Sequence, residues 1–247
     1  MQNKDSWRPS KFVYKNGKLI GSRNRAELGV SSRLIADIIA HFYDQYLKRY
    51  ARGRLLDLGC GKVPLYAAYQ GSVTDIFCVD WANSLHKNQH LDLELDLTGN
   101  FPFADNEFDT IILSDVLEHI AVPEHIWKEM ARVLSRGGTL LMNVPFFYWL
   151  HEEPYDYYRY TEHALRRFVD ISGMRLVQLS SIGGVPEIMA DMFAKTIVRL
   201  PKLGNAAALF VQWCAWKLTR SGFGKQVSDA TSRAFPLGYF LIAEKPI

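Results

Sequence analysis

Apolar positions along this chain follow two periods, and the two alternate. Leu34, Ile35, Ile38, Ile39, Phe42, Tyr46 and Leu47 fall at helical spacing. They predict a helix capped by Ser31 or Ser32 and stopped by Gly53. Short apolar runs bounded by turn residues then predict strands at 54–58, 76–79, 91–95, 108–114, 139–144 and 175–180. Between them, helical patterns follow Pro64, occupy 123–134 with Pro at the first turn and Gly137-Gly138 past the end, and occupy 161–171 with Thr161 as cap. Residues 186–235 read as largely helical, and 239–243 supply a last strand. Residues 1–30 read as a polar, irregular extension with Trp7, Phe12 and Tyr14 as isolated anchors. The alternation implies an α/β fold of seven strands, mostly parallel, with helices on both faces and a helical insert at about 186–235 before the last strand. Residues 31–247 form the domain and 1–30 its extension.

Composition narrows the class without naming it. At 247 residues, 48% hydrophobic and 22% charged, the chain can bury a full core as one embellished domain. A net charge of +3 gives no argument for nucleic acid. Cys60, Cys78 and Cys214 are far apart and lack metal-ligand spacing, which suits reduced thiols in the cytoplasm. The first residues are polar with no apolar run behind them, so no signal peptide is expected. The longest apolar stretch, 206–216, contains Gln212 and is too short to span a bilayer, which takes about 20 residues.

Chemistry concentrates where the first strand ends. Leu55-Leu56-Asp57-Leu58-Gly59-Cys60-Gly61 runs a buried strand into a Gly-x-Gly turn, and Asp80 ends the next strand. Gly59 and Gly61 let the backbone turn tightly and approach a ligand. An ionised Asp80 accepts both hydrogen bonds of a ribose diol. Asp96 is placed to read an adenine amino group, with Trp81, Phe101 and Phe103 beside the base. A dinucleotide site wants a third glycine and a helix N-terminus facing a pyrophosphate. Here Lys62-Val63-Pro64 follows Gly61. A cofactor without phosphates needs no such glycine, which favours S-adenosylmethionine over NAD.

The ordered set of motifs resembles class I S-adenosylmethionine-dependent methyltransferases. It comprises Leu56–Gly61, Val79-Asp80, Asp96-Leu97-Thr98 with Phe101-Pro102-Phe103, the run from Phe108 to His119, and the run from Ala131 to Leu141. The resemblance covers about residues 50 to 182 and the last strand. It implies a Rossmann-like sheet with Gly59 and Gly61 lining the methionine portion, Asp80 at the ribose and Asp96 at the adenine, and Asp57, Cys60, Trp81, Leu97 and Ser114 complete the expected cofactor-binding set. The family's third glycine is absent, with Val63 in its place.

A hydroxyl acceptor must lose a proton, so a base near the methyl is expected. His119, at the end of the fourth strand, is one candidate, and a histidine that only orders its loop is the other reading. Glu118 reads as a backbone or helix-cap partner. The second candidate is His151, in His151-Glu152-Glu153-Pro154-Tyr155-Asp156-Tyr157-Tyr158-Arg159-Tyr160-Thr161. Tyr155, Asp156, Tyr158 and Arg159 are the candidate acceptor-binding residues, since tyrosines present flat faces with polar tips and Arg159 pairs with Asp156 or with an anionic acceptor. A self-satisfied loop is the competing reading. This segment resembles a pattern of bacterial methyltransferases associated with polysaccharide and glycan biosynthesis, which points to a sugar-containing or small-molecule acceptor. A lipid, a quinone-like ring and a non-catalytic cofactor-binding module stay open. His86 and His90 are four apart but lie in a polar loop with no third ligand, so no metal is expected. Residues 186–235 are basic and amphipathic, which suits a lid, a partner face or peripheral contact with an anionic membrane. The oligomeric state stays open.

Overall fold

The computed structural model describes residues 1–82 and 89–247. In chain order its elements are β1 (Phe12–Lys15), β2 (Lys18–Gly21), α1 (Arg33–Tyr50), β3 (Arg54–Leu58), α2 (Tyr66–Tyr69), β4 (Asp75–Asp80), β5 (Leu93–Glu94), β6 (Phe108–Ser114), α3 (Pro123–Val133), β7 (Leu134–Pro145), α4 (Glu162–Ile171), β8 (Arg175–Ile182), α5 (Val185–Ile197), α6 (Gly204–Arg220), α7 (Gly222–Ser232) and β9 (Gly238–Glu244).

Seven strands form one sheet in the order β5-β4-β3-β6-β7-β9-β8. The ladders β4–β5, β3–β4, β3–β6 and β6–β7 are parallel. Asp57 of β3 stands opposite Cys78 of β4 and Ile112 of β6, so the carboxyl ends of these three strands meet at one edge. From β3 the chain winds outward through β4 to β5, then returns to the other side of β3 as β6. That reversal is the switch point where open α/β sheets take ligands. The strands run as unbroken apolar segments because both faces are covered. Leu55, Leu56, Leu58, Ile111, Ile112, Leu113, Leu140, Leu141 and Met142 are all fully buried. On one face Trp127 of α3 stacks on Phe168 of α4, ring centres 5.9 Å apart.

The chain divides into two compact units. One comprises Met1–Arg8, Gln45–Ser180 and Tyr239–Ile247, and holds most of the sheet with every candidate site residue. The other comprises Pro9–Asp44 and Ser181–Gly238, with the β1–β2 hairpin, most of α1, and α5 to α7. Within this second unit α5 is held at its start by Glu187, which accepts from the Gly184 N–H (2.8 Å) and from Ser228 of α7 (2.9 Å).

Three local expectations are corrected. Residues 12–21 are a hairpin rather than irregular chain: Asn16 and Gly17 take φ of 51° and 73° at its tip, the turn that matches strand twist. The first turn of α1 is capped neither by Ser31 nor by Ser32; the Leu34 N–H donates to Gln212 Oε1 at 3.0 Å. Residues 134–145 are one strand beginning directly after α3, and a register shift opposite Phe108 and Thr110 absorbs the Gly137-Gly138 pair. Cys60 and Cys78, distant in sequence, are buried neighbours, and their mutual hydrogen bond together with burial pushes the Cys60 thiol well up.

Candidate functional site

The Gly59–Gly61 turn closes over the end of β3 with both glycines at positive φ, 67° and 48°. A Cβ on Gly59 would lie 2.4 Å from Val116 Cγ2, so the turn abuts the segment leaving β6. Val63 continues the loop at φ 51° with its side chain fully buried. It therefore holds the left-handed conformation that suits glycine, although a β-branched residue is strained there. Val63 O accepts from the Trp7 indole N–H (3.1 Å), and Trp7 packs on Tyr66 at 5.0 Å. Residues 1–8 thus lie against the glycine loop.

Asp80 ends β4 with each carboxylate oxygen accepting one backbone N–H: Oδ2 from Gly61 (3.1 Å) and Oδ1 from Trp81 (2.9 Å). A carboxylate oxygen can accept more than one hydrogen bond, so this posture suits a ribose diol while tying the carboxylate to the glycine turn. Asp57 lies beneath the turn and accepts from the Tyr69 hydroxyl at 3.0 Å. Burial pushes its carboxyl up to about 7, with the Asp80 charge acting in the same direction.

Asp96, the candidate reader of an adenine, is exposed, and its Oδ1 accepts from both the N–H (2.9 Å) and the hydroxyl (2.7 Å) of Thr98. Leu97 and Phe101 belong to the core, and Phe103 packs on Phe77 and Phe108 at 5.3 and 5.1 Å. Of the three aromatics expected beside a base, Trp81 is the one that meets the 146–160 loop, edge to face with Tyr155 at 4.9 Å. The Cys60 side chain is buried, and its N–H goes to Val79 O. Ser114 donates to Asn143 Oδ1 at 2.8 Å. His90 is buried, with Nδ1 3.1 Å from Gln2 O, and His86 lies outside the described residues.

Two loops meet beyond Val116. The 146–160 loop is laced onto 117–121: Tyr157 N–H donates to Glu118 O (2.9 Å), Tyr158 hydroxyl to Ala121 O (3.0 Å) and Tyr160 hydroxyl to Leu117 O (3.2 Å). This brings His119 and His151 ring to ring, centres 4.8 Å apart. Glu118 is fully buried, and its Oε1 lies 3.9 Å from Nε2 of each ring. His119 Nδ1 is 2.9 Å from Tyr155 O, and His151 Nδ1 is 3.3 Å from both Trp149 O and Asp156 Oδ2. These partners are acceptors, so Nδ1 of each ring is placed to donate while Nε2 faces Glu118. Burial holds His151 below its ordinary value against the pull of Asp156, and His119 adds to the effect of burial.

Asp156 and Arg159 are spent on each other, Arg159 donating with both terminal nitrogens. Burial alone would raise Asp156, but Arg159 and the His151 N–H (2.9 Å) hold it at about 2. The pair props His151 in place. Tyr155, Tyr157 and Tyr158 remain substantially exposed. Glu118, expected only as a backbone or helix-cap partner, is the residue whose place between the two rings the sequence did not show. Its signal was the Glu-His step at the end of β6, which acquires meaning only when His151 arrives from another loop.

Residues 56–142 match the family model of the methyltransferase domain. A search of curated proteins returns no match. Among solved structures, the chain is similar to the [4+2]-cyclase SpnF (TM-score 0.54, 17% identity, 86% of this chain and 82% of that one). It is similar to phosphoethanolamine N-methyltransferase 2 of Haemonchus contortus in complex with phosphomonomethylethanolamine and S-adenosylhomocysteine (0.55, 15%, 91% and 58%). It is also similar to the YcgJ protein of Bacillus subtilis (0.51, 15%, 83% and 97%). At these identities the likeness is one of fold, and a cyclase among them shows that the fold alone does not fix the chemistry.

Proposed function

We propose that this chain, whose residues 56–142 match the methyltransferase domain, uses S-adenosylmethionine to methylate a hydroxyl of a sugar or glycan precursor. S-adenosylmethionine supplies an electrophilic methyl group on its sulfonium. Asp80 receives the ribose hydroxyls, Asp57, Gly59, Cys60 and Gly61 surround the methionine portion, and Asp96 and Leu97 border the adenine, with Trp81 and Ser114 at the margins. An acceptor oxygen held there would attack in line, its bond to carbon forming as the carbon–sulfur bond breaks. The hydroxyl proton would pass to the cluster of Glu118, His119 and His151 as S-adenosylhomocysteine is released.

The observation that carries this reading is the exposed Tyr155, edge to face with Trp81 at 4.9 Å and bound through its carbonyl to His119. A flat, amphipathic wall beside a proton acceptor suits a sugar ring. The test is a radiolabelled-methyl assay over nucleotide-activated sugars, oligosaccharides, quinols and phospholipids. Label in the sugars, lost in His119→Ala and His151→Ala, supports the reading. Label confined to lipid or quinol gives the acceptor to that class, and no label anywhere leaves a cofactor-binding module.

Among the described residues no helix is long and apolar enough to cross a membrane. The second unit nonetheless exposes Met189, Met192 and Phe193 on α5 and Phe210 and Trp213 on α6. Lys217 and Arg220 lie over the Trp216 ring at 5.5 and 4.4 Å. Apolar residues beside cations suit the surface of an anionic bilayer, so peripheral membrane contact belongs to the proposal. Co-sedimentation with phosphatidylglycerol vesicles at low salt tests it; protein left in the supernatant refutes it.

A further inference from the structure

We propose that Glu118, His119 and His151 together bind a divalent transition-metal ion that takes the acceptor hydroxyl beside the methyl donor; this rests on the methyl-transfer reading above. Among the described residues these three form the cluster whose ligand atoms all lie within 4.8 Å of one another. Glu118 Oε1 is already 3.9 Å from both Nε2 atoms. Bound at the usual bond lengths of about 2.0–2.2 Å, the donors would stand roughly 3–3.5 Å apart, which modest side-chain closure achieves.

Three features mark the cluster as built for a metal. Each ring's Nδ1 faces a backbone carbonyl to which it can donate, which leaves Nε2, turned toward Glu118, as the ligand atom. Behind His151 stands the carboxylate of Asp156, itself clamped by Arg159, the outer-shell arrangement that orients metal-bound imidazoles. Glu118 is a fully buried carboxylate facing two imidazole nitrogens, a setting that a cation among them improves. Two imidazoles and one carboxylate favour manganese, iron, cobalt or zinc over magnesium or calcium. Three protein ligands leave positions open for exchangeable groups, and adjacent hydroxyls of a sugar ring suit two of them.

Place also fits. Glu118 and His119 follow Val116, the residue that abuts Gly59 in the cofactor turn. Bound to the ion, the acceptor hydroxyl would lose its proton to solvent more readily, as metal-bound water does. With the ion bound, both rings would serve as ligands, and loss of the proton to solvent would replace its transfer to the cluster.

The test uses the full chain, stripped with chelator and titrated with Co²⁺ by visible absorption. One Co²⁺ per chain is expected, with affinity falling at least tenfold in His119→Ala, His151→Ala and Glu118→Gln and unchanged in the exposed His163→Ala. A wild-type readout guards against misfolded variants: pulsed electron paramagnetic resonance of bound Mn²⁺ should show imidazole nitrogen couplings. No Co²⁺ uptake, uptake equal in all variants, or Mn²⁺ spectra without nitrogen coupling would overturn the proposal. Sugar methylation that survives chelation removes the metal and leaves the histidine base standing. Co²⁺ held at the cluster without methylation of any sugar removes the sugar reading instead.

Discussion

His119 and His151 come from separate loops and meet edge to face, ring centres 4.8 Å apart, with Glu118 Oε1 3.9 Å from the Nε2 of each. The meeting depends on Asp156, which holds the His151 N–H at 2.9 Å and lies 3.3 Å from its Nδ1. Asp156→Asn should therefore lower turnover about 10- to 100-fold. S-adenosylhomocysteine affinity should stay unchanged in calorimetry, because no part of the nucleoside site moves. Loss of both together would mean that Asp156 supports the whole fold rather than the histidine.

Val63 exchanges strain for burial. Its φ of 51° costs a β-branched residue about 1–3 kcal/mol, while its buried side chain contributes about 1.5–3 kcal/mol. Val63→Gly relieves the first and forfeits the second, so its denaturant midpoint should shift less than that of Val144→Ala, an unstrained buried position. A larger loss for Val63→Gly would show that the left-handed backbone carries no strain.

Asp57 makes stability fall with rising pH. Its folded carboxyl sits at about 7 against an ordinary 3.8. Below about pH 4 both states hold the proton and its contribution is complete. Between about pH 4 and 7 the unfolded chain ionises while the folded one does not, which removes at most about 4 kcal/mol; above pH 7 the loss levels off. Asp57→Asn cannot ionise, so its stability relative to the parent should rise across that window and then plateau. Chemical denaturation at pH 4, 5.5, 7 and 8.5 checks this, and a constant difference would mean that Asp57 is ionised in the folded protein.

The parallel sheet was legible because its strands are unbroken apolar runs with turn residues between them. Phe108–Ser114 and the Thr161 cap of α4 lie where their patterns put them. Elsewhere the deciding partner was distant in sequence. Asn16-Gly17 is a hairpin signal in its own right, masked by the polar residues around it. No local pattern could show that Gln212 would cap α1, or that Cys60 and Cys78 would touch. The glycine turn and Asp80 were readable for the same reason as the strands, since both sit at strand ends. The acceptor side was readable only as two fragments. Glu118 looked like a backbone or cap partner, and the sequence left Arg159 to pair with Asp156 or with an acceptor; the folded loops pair the two and join all three around the rings.

The account depends most on Asp80 holding the nucleoside at the glycine turn. Asp80→Ala removes an acceptor from the Gly61 and Trp81 N–H groups, so it should also cost about 1–3 kcal/mol of stability, more than an exposed carboxylate would. The decisive measurement is calorimetric titration of S-adenosylhomocysteine into the parent and Asp80→Ala, both verified as folded at the working temperature. The account predicts saturable one-to-one binding by the parent and at least tenfold weaker binding by the variant. Equal affinities, or a folded parent that does not bind the nucleoside, would contradict it.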